Sequence, residues 1–110
     1  MRMNEYQQLA QRTANTTTQS DKIHNALLGL FGEGGELADQ IKKTCYQGHE
    51  LDADHMIEEL GDVLWYCAEL ACGLGVTLEE VAMKNIGKLR RRYPEGFSAE
   101  RSINREGCLA

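Results

Sequence analysis

The 110-residue chain carries 17 acidic against 12 basic side chains, a net charge of −5, so it lacks the basic field that would hold polymeric DNA or RNA by its phosphates. Hydrophobic residues make up 42% and proline occurs once, at Pro94, which is the composition of a globular, helix-tolerant chain and excludes a disordered one. Met1 to Arg12 is polar with no apolar signal region, Val63 to Leu78 is broken by Glu69 and two glycines, and Cys45, Cys67, Cys72 and Cys108 form no C-x-x-C pair, so the expectation is a cytoplasmic protein with reduced thiols and no membrane span.

The first predicted helix runs from about Asn4 to Arg12 and gives way to the polar, β-branched run Thr13 to Ser20, read as a loop or frayed end. A second starts near Asp21 as N-cap and carries Ile23, Leu27, Leu30, Leu37 and Ile41 to about Tyr46, with Gly48 beyond it. A third begins at Asp52 or Asp54 and carries Ile57, Leu60, Val63, Leu64, Cys67 and Leu70 to a stop at Gly73 and Gly75. Thr77 and Glu80 form a capping-box pattern that opens a fourth helix through Val81, Ile86 and Leu89 to about Tyr93, ended by Pro94 and Gly96.

Phe97 to Ala110 has no clear period and reads as a C-terminal arm or tail. Short connections favour antiparallel neighbours, so the predicted architecture is an all-α helical bundle in one domain, 1–110. Three good helices make a thin core. A homodimer or homotetramer that completes a larger bundle is therefore expected.

Two acidic pairs stand out, Glu33 with Glu36 in Gly-Glu-Gly-Gly-Glu-Leu and Glu59 with Asp62 in Glu-Leu-Gly-Asp-Val. At about 100° of rotation per residue, an i, i+3 spacing puts both acids of a pair on one side of a helix, one turn apart. Glu59 borders the stripe of Met56, Val63, Tyr66 and Leu70, and Glu33 that of Ala26, Leu30 and Leu37. Two neighbouring helices would thus aim four carboxylates into one seam, where mutual repulsion is relieved by protonation or by a cation. Ligands that are all oxygen point to Mg²⁺ or Mn²⁺. Taken singly, each pair reads more plainly as a solvated face; it is the matched phase on consecutive helices that raises them above surface acids.

The fourth helix aligns Asn85, Lys88 and Arg92 at i, i+3, i+7, a line suited to phosphate oxygens. Basic residues in a last turn also favour the helix dipole, so the line has a structural reading of equal weight. Asn85 falls near the centre of the apolar stripe, where its amide requires a partner.

Three stretches together carry a resemblance: Gly29-Leu30-Phe31-Gly32-Glu33-Gly34-Gly35-Glu36, Glu58-Glu59-Leu60-Gly61-Asp62-Val63-Leu64-Trp65-Tyr66, and Asn85-Ile86-Gly87-Lys88-Leu89-Arg90-Arg91-Arg92-Tyr93-Pro94-Glu95-Gly96-Phe97. In order and spacing, Leu28 to Arg105 resembles the MazG-like nucleotide pyrophosphohydrolases, a superfamily that also includes the all-α dimeric dUTPases. The resemblance implies Mg²⁺ held through E-E-x-x-E and E-x-x-D motifs and hydrolysis of a nucleoside triphosphate between its α and β phosphates, giving NMP and pyrophosphate. Glu33 and Glu36 match the last two acids of the first motif, Glu59 and Asp62 the second, and Asn85, Lys88 and Arg92 the phosphate contacts. Gly32 stands where the first motif has its first acid, leaving Glu33 and Glu36 as the candidate general bases.

Other readings are open to the same residues. A di-iron carboxylate bundle wants Glu-x-x-His, and here the i+3 partners of Glu33 and Glu59 are Glu36 and Asp62. A zinc module built on Cys45, His49 and His55 lacks a second pair of ligands. The main alternative is a non-catalytic, nucleotide-binding or regulatory helical protein. Trp65, Tyr66, His24 and Phe31 are candidate nucleobase neighbours, though aromatics at helical spacing more commonly serve a core.

Overall fold

Five α-helices and no strand make up the described residues, 1–104 of a computed structural model: α1 (Met3–Gln11), α2 (Gln19–Tyr46), α3 (Ala53–Gly73), α4 (Leu78–Arg92) and α5 (Ala99–Asn104). The fold is all-α, as the 3.6-residue apolar period requires. Among the described residues no helix is long and apolar enough to cross a membrane. By packing, the chain divides into two compact units, Met1–Leu78 and Glu79–Ala110, within the span read from the sequence as one domain.

Side-chain oxygens decide where the two longest helices begin. The Thr18 hydroxyl accepts from the amide of Asp21 at 3.1 Å, so α2 starts at Gln19 and Asp21 sits inside its first turn instead of capping it. The Asp52 carboxylate accepts from the amide of His55 at 3.1 Å and opens α3. Gly48 and Gly75 follow α2 and α3 with φ of +74° each, a left-handed conformation that glycine adopts without steric cost.

In the first unit α2 packs along α3, and α1 lies against α3. The buried apolar residues are mostly small: Ala10, Ala26, Ala68 and Ala71, with Leu78 the large one. Small side chains let helix axes approach. Near one end of the α2·α3 seam, a Cβ on Gly73 would stand 2.9 Å from Ile23 Cγ1 and 3.1 Å from the Gln19 carbonyl oxygen, so only glycine fits without a shift.

Gln7 of α1 ties the α3–α4 connection to this core. Its amide group donates to the Val76 carbonyl at 3.1 Å and to Cys72 Sγ at 3.3 Å, and its Oε1 accepts from the Leu78 amide at 2.8 Å. That last bond satisfies one of the amides that the first turn of a helix leaves without a partner.

In the second unit, the stretch expected to be an unpatterned arm contains α5. The Arg101 guanidinium donates to the carbonyls of Arg91 and Arg92, closing the end of α4, and Tyr93 stacks at 5.3 Å on Phe97. The rest of the expected arm, residues 105–110 with Cys108, lies outside the described residues.

Candidate metal centre

The antiparallel run of α2 against α3 brings three of the four predicted acids, Glu33, Glu36 and Glu59, to one level of the seam and leaves Asp62 outside that group. One carboxylate oxygen from each of Glu33, Glu36 and Glu59 lies within 4.8 Å of the others. Among the described residues these three are the acidic, His or Cys ligands close enough to share one ion; Cys45 and His49 are not with them. Asp62 is exposed and stands beside Glu33, the two lining a pocket of about 360 Å³ together with Thr13, Trp65 and Tyr66.

The acids are held unequally. Glu59 is buried, and its Oε1 meets His55 Nε2 at 2.8 Å, one helical turn earlier on α3. Its Oε2 and the Oε2 of Glu33 are buried and have no hydrogen-bond partner. Burial pushes the Glu33 carboxyl above the ordinary range, and the nearby Glu36, Asp62 and Glu59 carboxylates push it the same way. Burial, and then the charge of Asp62, likewise raises the Tyr6 hydroxyl, which places α1 close to the acids as well.

A buried carboxylate oxygen without a donor costs free energy, and two of them on acids of one cluster is an arrangement that a bound cation relieves. The donor set is all oxygen and negatively charged, the chemistry suited to Mg²⁺ or Mn²⁺. On those grounds the residues present fit a divalent cation.

The aromatic neighbours divide. Trp65 and Tyr66 line the pocket, with ring centroids 5.2 Å apart in an edge-to-face contact, whereas His24 and Phe31 are exposed and do not. The indole of Trp65 donates to the Ala10 carbonyl and to the Thr13 hydroxyl, each at 2.9 Å. Thr13, His55 and Tyr6 were not singled out for this site by sequence. The i−4 spacing of His55 from Glu59 is a signal that was available for one of them.

Asn85, Lys88 and Arg92 lie on α4, in the second unit. Asn85 is exposed, while Lys88 and Arg92 are half-buried. Arg92 Nε has no acceptor, and Arg92 lines a groove of about 650 Å³ with Arg91, Ser98, Arg101 and Asn104 among its other walls.

Residues 21–97 match the family model of the MazG nucleotide pyrophosphohydrolase domain. The Gene 37 protein of Mycobacterium phage L5 is 38% identical over 82 residues, covering 71% of this chain and 72% of that protein. No solved structure matches.

Proposed function

We propose, from the premise that the chain belongs to the MazG nucleotide pyrophosphohydrolase family, that it hydrolyses a nucleoside triphosphate to the monophosphate and pyrophosphate with the aid of Mg²⁺, for which Mn²⁺ can substitute. The observation that carries this reading is the meeting of Glu33, Glu36 and Glu59 within 4.8 Å. Glu33, Glu36, Glu59 and the adjacent Asp62 would hold the cation. When bound, it supplies neutralisation of the acids and polarisation of the phosphate oxygens.

The chain's own groups do the rest. Water attacks the α-phosphorus in line, its proton passing to Glu36 or Glu33, whichever is left free of the cation, as the bond to the β-phosphate oxygen breaks and pyrophosphate departs. Asn85, Lys88 and Arg92, on the second unit, are the proposed phosphate-binding groups, one amide donor and two positive charges.

The same reading includes a homo-oligomer. Leu28, Phe31 and Ile57 are 76%, 83% and 65% exposed, and Leu37, Ile41, Met56 and Leu60 line an apolar groove of about 340 Å³ on the same unit. Apolar area of this kind is ordinarily covered by a partner. A second copy supplies one, and a mass of two or four chains by light scattering is expected.

The deciding experiment is release of NMP and pyrophosphate from a panel of canonical and modified NTPs and dNTPs, with Mg²⁺ and with EDTA. Mg²⁺-dependent release of both products supports the enzyme. Nucleotide binding without pyrophosphate release would replace it with the non-catalytic alternative.

A further inference from the structure

Glu69 is the most deeply buried ionisable side chain of the first unit, 0% exposed, and no step of the proposed reaction uses it. It lies one turn beyond Trp65 on the same side of α3, and the two residues grip one piece of chain. Glu69 Oε2 accepts from the Thr16 hydroxyl at 2.9 Å, and the Trp65 indole donates to Thr13 at 2.9 Å. The α1–α2 connection, residues 12–18, is thereby fastened to α3 at two points three residues apart.

Two side chains of α2 brace the fastening with three further bonds. Asn25 donates to Glu69 Oε1 at 2.7 Å, and Lys22 reaches both Thr16 at 3.3 Å and Gln11 at 2.8 Å. Both oxygens of the buried Glu69 carboxylate are satisfied, and a polar network that holds a buried carboxylate in one geometry fixes what is attached to it. What is attached is Thr13, a wall of the pocket whose other sides are Glu33, Asp62, Trp65 and Tyr66.

We propose that Thr13, carried by segment 12–18, is a substrate-facing wall of the acid site, and that Glu69 and Thr16 are positioning residues that hold it in place for the nucleoside part of the substrate. This rests on the nucleotide reading of the site. The acids and their cation take the phosphates, so the flanking pocket, with two aromatic rings and a hydroxyl, is left for base and sugar, to which such groups are suited. Glu69 touches neither the cation ligands nor the pocket. Its effect passes through Thr16 to Thr13, and from Thr13 to the Trp65 ring.

The test uses the full chain and the variants Thr16→Val, Thr16→Ala and Thr16→Ser. Valine removes the hydroxyl at constant volume, alanine removes it without risk of overpacking, and serine restores it. Trp65 is the single tryptophan, so acrylamide quenching of its fluorescence reads the wall directly. Expected for the valine and alanine variants are a roughly tenfold rise in KM with kcat within about twofold, the scale of change that loss of the Thr16 hydroxyl's hydrogen bonds to Glu69 and Lys22 allows. Trp65 becomes more quenchable in both, Mn²⁺ affinity stays at the parent value, and the serine variant behaves as the parent.

Parent-like KM and quenching in both Thr16→Val and Thr16→Ala would overturn the proposal, as would a serine variant as impaired as they are. If the parent turns over no nucleotide, the enzyme reading fails by itself, and quenching still decides whether Thr16 and Glu69 hold the wall.

Discussion

The ring of Tyr66 occupies the space in which a side chain on Gly29 would stand: a Cβ built there would overlap Tyr66 Cε1 and Cζ. Gly29 is one turn from Glu33, and Tyr66 one turn from Asp62, so this close approach of α2 and α3 sets the level at which the acids meet. Alanine within a helix ordinarily gains about 1 kcal/mol over glycine. Here overpacking of about 1–3 kcal/mol opposes that gain, so Gly29→Ala should lower Tm, displace Tyr66 and raise KM. Gly35→Ala, with nothing within 4 Å of its Cβ, is the control, and should raise Tm. Thermal melts of the two variants decide the matter, and a Gly29→Ala protein as stable as the control would contradict it.

Removing charge from the acid cluster separates catalysis from folding. Asp62 is exposed, so Asp62→Ala leaves no cavity, and Glu59→Gln keeps the volume of a buried side chain. Each is expected to reduce turnover by about a hundredfold or more, the scale at which charge stabilisation acts in such sites. In EDTA their Tm should equal or exceed that of the parent, because like charges have been thinned out. An active double variant, assayed for pyrophosphate, would remove the proposed mechanism.

The acid pairs were legible because a helix repeats every 3.6 residues, and matched i, i+3 spacings on consecutive segments share a phase whatever the tertiary contacts. The network around Glu69 was not. An isolated glutamate in an apolar run reads as a solvated interruption, and only the fold supplies Thr16 and Asn25, 53 and 44 residues away in sequence. The same blindness made Thr13 to Ser20 look frayed, since its fastenings come from α3. For the start of α2 the local signal is present in the sequence: Thr18 and Asp21 make an S/T-x-x-D pattern, and Thr18 caps the helix in place of the expected Asp21. The helix Ala99–Asn104 is too short for a period to declare it.

His55 holds one oxygen of Glu59 at 2.8 Å, leaving the other buried without a partner. A group that orients a ligand typically affects metal affinity by about 10- to 100-fold. Replacement by alanine should therefore weaken Mn²⁺ binding by roughly tenfold with helix content unchanged. A calorimetric titration showing parent affinity for His55→Ala would mean that packing alone orients Glu59.

Gly32 offers the converse experiment. It lies one turn before Glu36 on α2, with nothing within 4 Å of its Cβ, so glutamate fits there and also relieves the helix of a glycine. Gly32→Glu completes the E-E-x-x-E pattern. Tighter Mn²⁺ binding, or a second ion per chain, is expected by titration. Unchanged stoichiometry and affinity would show that residue 32 does not address the cluster.

The pH dependence of stability follows from Glu33, whose carboxyl is raised first by burial and then by Glu36, Asp62 and Glu59. A folded-state pKa above the unfolded value means that the native protein binds this proton more tightly. Its contribution is therefore complete below the ordinary carboxylate range and is lost as pH rises through the raised value. Metal-free protein should accordingly lose stability in that interval of rising pH, the reverse of a carboxylate held by a cationic partner. A divalent cation takes the place of the proton, so saturating Mg²⁺ should flatten the profile and raise Tm most on its high-pH side. Urea melts across the interval, in EDTA and in Mg²⁺, measure both effects. Parallel profiles would mean that the cation binds away from Glu33.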